Sequence, residues 1–214
     1  MQPTPTIPGY EHHIFVSYRR SDEDWVRWTR DNFVRALRVL LSPGLGNVQI
    51  YTDESIETGA DWPHHLARHL SRSRIMVAIL SRDYFTSNWC RLELALMHKR
   101  EELANFRTPT NPGGLIIPVI IDDGHCFPVE VRKMQSERFH NFANPFIRPD
   151  SPKQEALAEF LRERVCPMIE RTLETVPNFD PAWEQIAHKQ FEHMFRIQTP
   201  VQNSIPPLVL PSLL

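Results

Sequence analysis

Arg74-Ile75-Met76-Val77-Ala78-Ile79-Leu80 is an almost unbroken apolar run, and Asn88-Trp89-Cys90-Arg91-Leu92-Glu93-Leu94-Ala95-Leu96-Met97 follows it closely. The first stretch reads as a buried strand. The second reads as a helix, with Ser87-Asn88 able to cap it. A buried strand handing over to a helix is the unit from which parallel sheets are built. Trp89 and Glu93 stand at i and i+4, so the helix carries an indole and a carboxylate on one face of its first turns. Just past a strand end, such a pair suits a site for a flat, cationic ring. Helices also carry Trp and Glu at this spacing for packing and solubility. The surrounding chain has to decide between the two.

Outward from this unit, strand and helix alternate. His13-Ile14-Phe15-Val16-Ser17-Tyr18 reads as a first strand, and Val48-Gln49-Ile50-Tyr51 as a second. Between them Ser21-Asp22-Glu23-Asp24 opens a helix, with acids where its dipole favours them. Trp25, Trp28, Phe33, Leu37, Leu40 and Leu41 form its apolar stripe, and Pro43-Gly44 ends it. Asp61 is a good N-cap for the helix entered at Trp62-Pro63. Leu115 to Ile121 reads as a fourth strand, although Pro118 cannot donate to a ladder. A weak fifth strand falls around Arg138 to Phe142. Lys153 to Glu174 reads as a helix kinked near Pro167, and Asp180-Pro181 opens a last helix bearing Trp183, Ile186, Phe191, Met194 and Phe195. The expected division is an N-terminal tail over 1–10, a domain over 11–175, a C-terminal helix over 176–198 and an apolar, Pro-rich tail over 199–214. That last tail has no charged residue. It is expected either to lack structure or to dock on the domain or a partner.

The alternation predicts an α/β fold, a parallel sheet with helices on both faces. Ligands bind such sheets beyond the carboxyl ends of the strands. Three segments converge on that edge: Ser17 to Arg20, Thr52 to Trp62, and Ser81 to Glu93.

Composition narrows the function. The chain has 214 residues, of which 41% are hydrophobic and 23% charged, with a formal net charge of -2. That length buries a core without disulfide staples. The near-neutral balance gives no electrostatic footprint for nucleic acid or an anionic membrane. No stretch approaches the roughly 20 apolar residues of a membrane span. Cys90, Cys126 and Cys166 are odd in number and far apart, which fits a cytoplasmic chain better than a disulfide framework. Neither GxGxxG nor GxxxxGK[ST] occurs, and glycine is scarce. His64, His65 and His69 suggest a metal cluster, but no third ligand accompanies the i, i+4 pair, so no metal is expected. Arg19-Arg20 suits either bidentate phosphate contact or a solvated surface. A phosphate receiver needs clustered acids at strand ends. Asp53 and Asp122-Asp123 lie near such ends, but the first strand offers Ser17-Tyr18 instead.

Three stretches resemble the TIR (Toll/interleukin-1 receptor) domain. Ile14-Phe15-Val16-Ser17-Tyr18 is similar to its first box, and Asp53-Glu54-Ser55-Ile56-Glu57-Thr58-Gly59-Ala60-Asp61-Trp62 to its second. Ser81-Arg82-Asp83-Tyr84 followed by Ser87-Asn88-Trp89-Cys90-Arg91-Leu92-Glu93 resembles the S-x-x-Y-x-x-S-x-W-C-x-x-E region. The likeness covers residues 11 to about 170. The third aromatic box, Phe139 to Phe142, matches only loosely.

The resemblance implies a flavodoxin-like sheet of five parallel strands and one of two roles. Enzymatic TIR domains cleave the nicotinamide–ribose bond of NAD+, and some cyclise the ADP-ribose. Adaptor TIR domains only self-associate as scaffolds. The intact Trp89 and Glu93 imply the enzymatic branch. Glu93 is then the expected catalytic residue, and Ser17, Tyr18, Arg19, Asp53, Trp62 and Trp89 are expected to contact substrate. NAD+ is the substrate, so no cofactor is expected. The resemblance also implies activation by self-association into an oligomer or filament. A compact chain of this kind is similar to prokaryotic defence effectors, with its trigger expected from a separate sensor or activator protein.

Overall fold

The computed structural model describes residues 7–20, 22–53, 62–106, 113–121, 127, 137–148 and 150–198. Strands β1 (His12–Tyr18), β2 (Ile50–Thr52), β3 (Ser73–Leu80), β4 (Ile116–Ile120) and β5 (Glu137–Arg138) lie in the order β2-β1-β3-β4-β5, all parallel. Every residue of β3 is buried, because it is the central strand of a sheet covered on both faces.

The fifth strand is much less than the resemblance implies. Four strands carry the sheet, and β5 is a two-residue edge that pairs only with Val119 and Ile120. The expected strand over Arg138 to Phe142 breaks off because Phe139 turns into the core, fully buried against Phe33, Phe142 and Phe160. Its carbonyl then accepts from the Phe142 and Ala143 amides in a turn, at 2.8 and 2.9 Å.

The same short edge resolves Pro118. Leu115 accepts from the Met76 amide and the Ile121 amide donates to Leu80, so odd-numbered residues of β4 bond to β3. Even-numbered residues face β5. The Ile116 amide there donates to the Glu101 carboxylate at 3.1 Å, and pairing with β5 begins only at Val119. Among the described residues, Pro118 therefore occupies a rung at which no donor is needed.

Helix α1 (Glu23–Trp28) is capped by Asp22, whose carboxylate accepts from the Asp24 and Trp25 amides. It continues through a π-helical segment, Thr29–Val34, into α2 (Arg35–Leu45). The wider turn suits the five-residue step from Trp28 to Phe33, both buried and in ring contact. Pro43 does not end this helix. It lies in the last turn, and Gly46, at φ 73°, closes the helix by donating to Ser42. Helix α3 (Trp62–Ser71) leads into β3, and α4 (Asn88–Leu103) follows it. Near the C-terminus, α5 (Pro152–Phe160) passes through a second π-helical segment, Leu161–Val165, into α6 (Cys166–Glu174). The irregularity expected near Pro167 thus falls just before it.

Helix α7 (Pro181–Gln198) lies across α3 and also touches α4. Its buried face is Trp183, Ala187 and Phe191, at i, i+4 and i+8, while Phe195 points to solvent. Tyr10 is not a free tail residue. It is buried, donates to the Pro177 carbonyl at 2.9 Å and packs on Phe179. The loop over 54–61 and the tail over 199–214 lie outside the described residues, as do Cys126 and Asp122-Asp123.

Candidate active site

Ser17 is the sixth residue of β1, and it points towards the helix that follows β3. Ser87 caps that helix, α4, by accepting from the Cys90 amide at 3.3 Å, which sets Glu93 one turn inside it. The two side chains meet below the carboxyl edge of the sheet, with Ser17 Oγ 2.5 Å from Glu93 Oε2. Tyr84, in the 3-10 turn Asp83–Thr86, places its hydroxyl 2.8 Å from Ser17 Oγ and 3.0 Å from the Cys90 carbonyl. Ser17 is 1% exposed, Tyr84 0% and Glu93 5%.

Ser17 donates to the Glu93 carboxyl and Tyr84 to the Cys90 carbonyl, and in the contact between the two hydroxyls either can be the donor. Burial, aided by the negative charge of Asp53, raises the Glu93 pKa to about 8, against the lowering effects of the Ser17 hydrogen bond and Arg20. The Cys90 thiol is pushed up to about 12, mainly by burial and next by Glu93, so it is no nucleophile at neutral pH.

Around this centre lie several of the residues singled out from sequence. Trp62 meets Trp89 edge-on, with ring centroids 4.2 Å apart, and Phe191 of α7 stacks behind Trp89 at 6.0 Å. Trp89 is thus wedged between two aromatic neighbours, which is the packing role, while part of its surface stays open. Arg20 bridges to Asp53 through both its carbonyl, at 3.0 Å, and its carboxylate, at 3.4 Å. Tyr18 and Arg19 lie elsewhere. Tyr18, the strand neighbour of Ser17, faces the opposite side of the sheet, and with Arg19, just past the strand end, it lines a cavity of about 440 Å³ alongside Trp25, Thr29, Ser81 and Arg82, from which Glu93 is absent. The Ser17 hydroxyl is engaged by Glu93 and Tyr84.

Tyr84 stands in the S-x-x-Y stretch, which by itself assigns it no part in the site. Its signal was the lone hydroxyl of Ser17 in an apolar strand, which needs a buried partner.

The model of the family described as TIR domain matches residues 14–159. This chain belongs to the TIR domain family. Three curated relatives are plant proteins. Protein PHLOEM PROTEIN 2-LIKE A8 of Arabidopsis thaliana is 29% identical over 56% of this chain and 28% of its own length. Disease resistance protein RUN1 of Vitis rotundifolia is 28% identical over 65% of this chain and 9% of its own. Protein SUPPRESSOR OF npr1-1, CONSTITUTIVE 1 of Arabidopsis thaliana is 29% identical over 59% and 7%. The chain spans under a third of each of these relatives. Among solved structures, the TIR domains of the activated Roq1 resistosome, directly recognizing the pathogen effector XopQ, cover 88% of this TIR chain and 100% of their own. They match at 18% identity and a TM-score of 0.38, a likeness too loose to carry an argument. Among the described residues, no helix is long and apolar enough to cross a membrane.

Proposed function

We propose that this TIR domain cleaves the nicotinamide–ribose bond of NAD+, with Glu93 as the catalytic carboxylate. The observation that carries the reading is the pairing of Glu93 with Ser17 at the carboxyl edge of a parallel sheet, where such folds bind ligands. One carboxylate suffices for this reaction. Nicotinamide is cationic at its ring nitrogen in NAD+ and leaves neutral, so no acid has to protonate it, unlike the alkoxide leaving group of ordinary glycosides. What needs stabilising is the positive charge that grows on the ribose. A carboxylate stabilises that charge electrostatically, as a transient nucleophile or through the ribose hydroxyls. The product is ADP-ribose, or a cyclised form if a hydroxyl of the same molecule captures the ribose. Trp89 and Trp62 offer the nearby aromatic surface for the departing ring.

In its described state Glu93 is shielded and its pKa raised, which supports a resting form that must open or assemble before it acts. Self-association of TIR domains, triggered by a separate sensor or activator, is the proposed route, and an immune role follows from the disease-resistance naming of a plant relative. A prokaryotic setting draws no support from these plant relatives. The same shielding favours a second reading, a non-catalytic TIR scaffold. Nicotinamide release is to be measured across protein concentrations and under crowding. The enzymatic reading expects release that rises with assembly and falls roughly 100- to 1000-fold in Glu93→Ala. Assembly without NAD+ loss at any concentration would leave the scaffold.

A further inference from the structure

We propose that Glu11, His12 and His69 form a binding site for a divalent transition metal of the zinc class, at the sheet edge opposite Glu93. Sequence spacing brought His65 and His69 together but lacked a third ligand. The fold supplies it from β1. His12 Nε2 lies 2.7 Å from His69 Nδ1, and one carboxylate oxygen of Glu11 lies within 4.8 Å of a ring nitrogen of each histidine. Two imidazoles and a carboxylate make a donor set that zinc uses with a fourth position left for water. Imidazole nitrogen disfavours magnesium and calcium, which take oxygen ligands.

The surroundings orient these rings as a metal site requires. His69 Nε2 is 3.1 Å from His65 Nε2, and His65 Nδ1 is 3.3 Å from the Tyr51 hydroxyl. The Tyr51 ring also stacks on His69 at 4.2 Å and an interplanar angle of 12°. If His65 carries its proton on Nδ1 and donates it to Tyr51, then its Nε2 accepts from His69. His69 is thereby held as the tautomer whose Nδ1 lone pair faces His12. Such outer partners are what fix metal-ligating histidines. Without metal, His12 Nε2–H donates into that lone pair. Moving the His12 proton to Nδ1 frees a second lone pair, so a cation enters with no net proton release from the imidazoles.

The backbone is equally settled. The Glu11 and His12 amides both donate to the Arg72 carbonyl, at 2.8 and 3.1 Å, which ties the start of β1 to the end of α3. Spreading the two nitrogens from 2.7 Å to the roughly 3.3 Å of a tetrahedral site, as metal–nitrogen bonds of about 2.0–2.1 Å require, asks only for side-chain rotation. Arg68 and Arg72 pair with Glu11 through Oε1, and Glu184 in turn pairs with Arg72. The guanidinium charges oppose a cation, so the site depends on nitrogen donation, which favours zinc-class ions over hard cations. Five residue steps at about 3.3 Å each separate His12 from Ser17. The metal would clamp β1 to α3 without touching Glu93.

The test titrates the chelator-treated full chain with Zn2+ by calorimetry and with Co2+ by visible absorption, alongside long-range 15N imidazole spectra. The expected result is one equivalent bound, Co2+ d–d bands of low coordination number, and shifts at His12 and His69. His12→Gln and His69→Gln abolish saturable binding. His65→Gln weakens it about 10- to 100-fold, and the exposed control His193→Gln leaves it unchanged. Absence of saturable binding by the native chain overturns the proposal. So does one-equivalent binding that survives loss of both His12 and His69. Should those variants fail to fold, the native imidazole spectra decide: zinc that shifts other histidines and not these two sinks the site.

Discussion

Glu93 is a carboxyl that the fold holds in its acid form. Its pKa in the folded chain, about 8, exceeds the ordinary 4.5, so the native state binds more protons than the unfolded one between those values. Stability therefore falls as pH rises from about 4.5 to about 8 and levels off above. Replacing the carboxyl with a neutral amide removes that slope. Glu93→Gln is expected to match the native chain near pH 4 and to exceed it by on the order of a few kcal/mol above pH 8, in urea melts across pH. Equal pH slopes for the two proteins would show that burial does not hold Glu93 protonated. In catalysis the sign reverses. An anion is required at the ribose, so the burial that stabilises the acid form is an obstacle that assembly or substrate has to remove.

Helix α4 delivers both Trp89 and Glu93, and its register rests on Ser87. The hydroxyl satisfies one of the amides that every helix leaves open at its N-terminus. Ser87→Ala is expected to cost about 1 kcal/mol in denaturant melts. A loss indistinguishable from zero would mean that the Tyr84 contacts alone set the helix start. At the other end of this helix, Glu101 and Arg100 are buried yet bonded, Glu101 to the Ile116 amide and Arg100 to the Ser73 carbonyl at 2.8 Å. They fasten α4 across β3 and β4, so the element that carries the site is anchored at both ends.

Across the whole molecule, α7 is a wall of the site region. Phe191 is fully buried behind Trp89, and the Arg72–Glu184 and His64–Glu192 pairs hold α7 on α3. Phe191→Ala is expected to destabilise the chain by roughly 3–5 kcal/mol and to shift tryptophan emission to the red as Trp89 gains water. Unchanged emission would place Trp89's rigidity with Trp62 alone.

Sequence by itself determined the parallel sheet, through periodicity and caps, and the TIR family, through the resemblance of three short stretches, because such patterns are local and survive without coordinates. It also placed Ser17, but not what Ser17 does. The Ser17–Glu93 contact spans 76 residues and the His12–His69 contact 57. No local pattern encodes such separations. The direction in which Tyr18 turns follows from strand alternation only once Ser17 is known to face α4, and that of Arg19, past the strand end, does not follow from it at all. The two-residue β5, the place it leaves for Pro118 and the cover that α7 provides over Trp89 are likewise tertiary outcomes. Each depends on which side chains compete for the same buried volume, and that competition exists only in the folded chain.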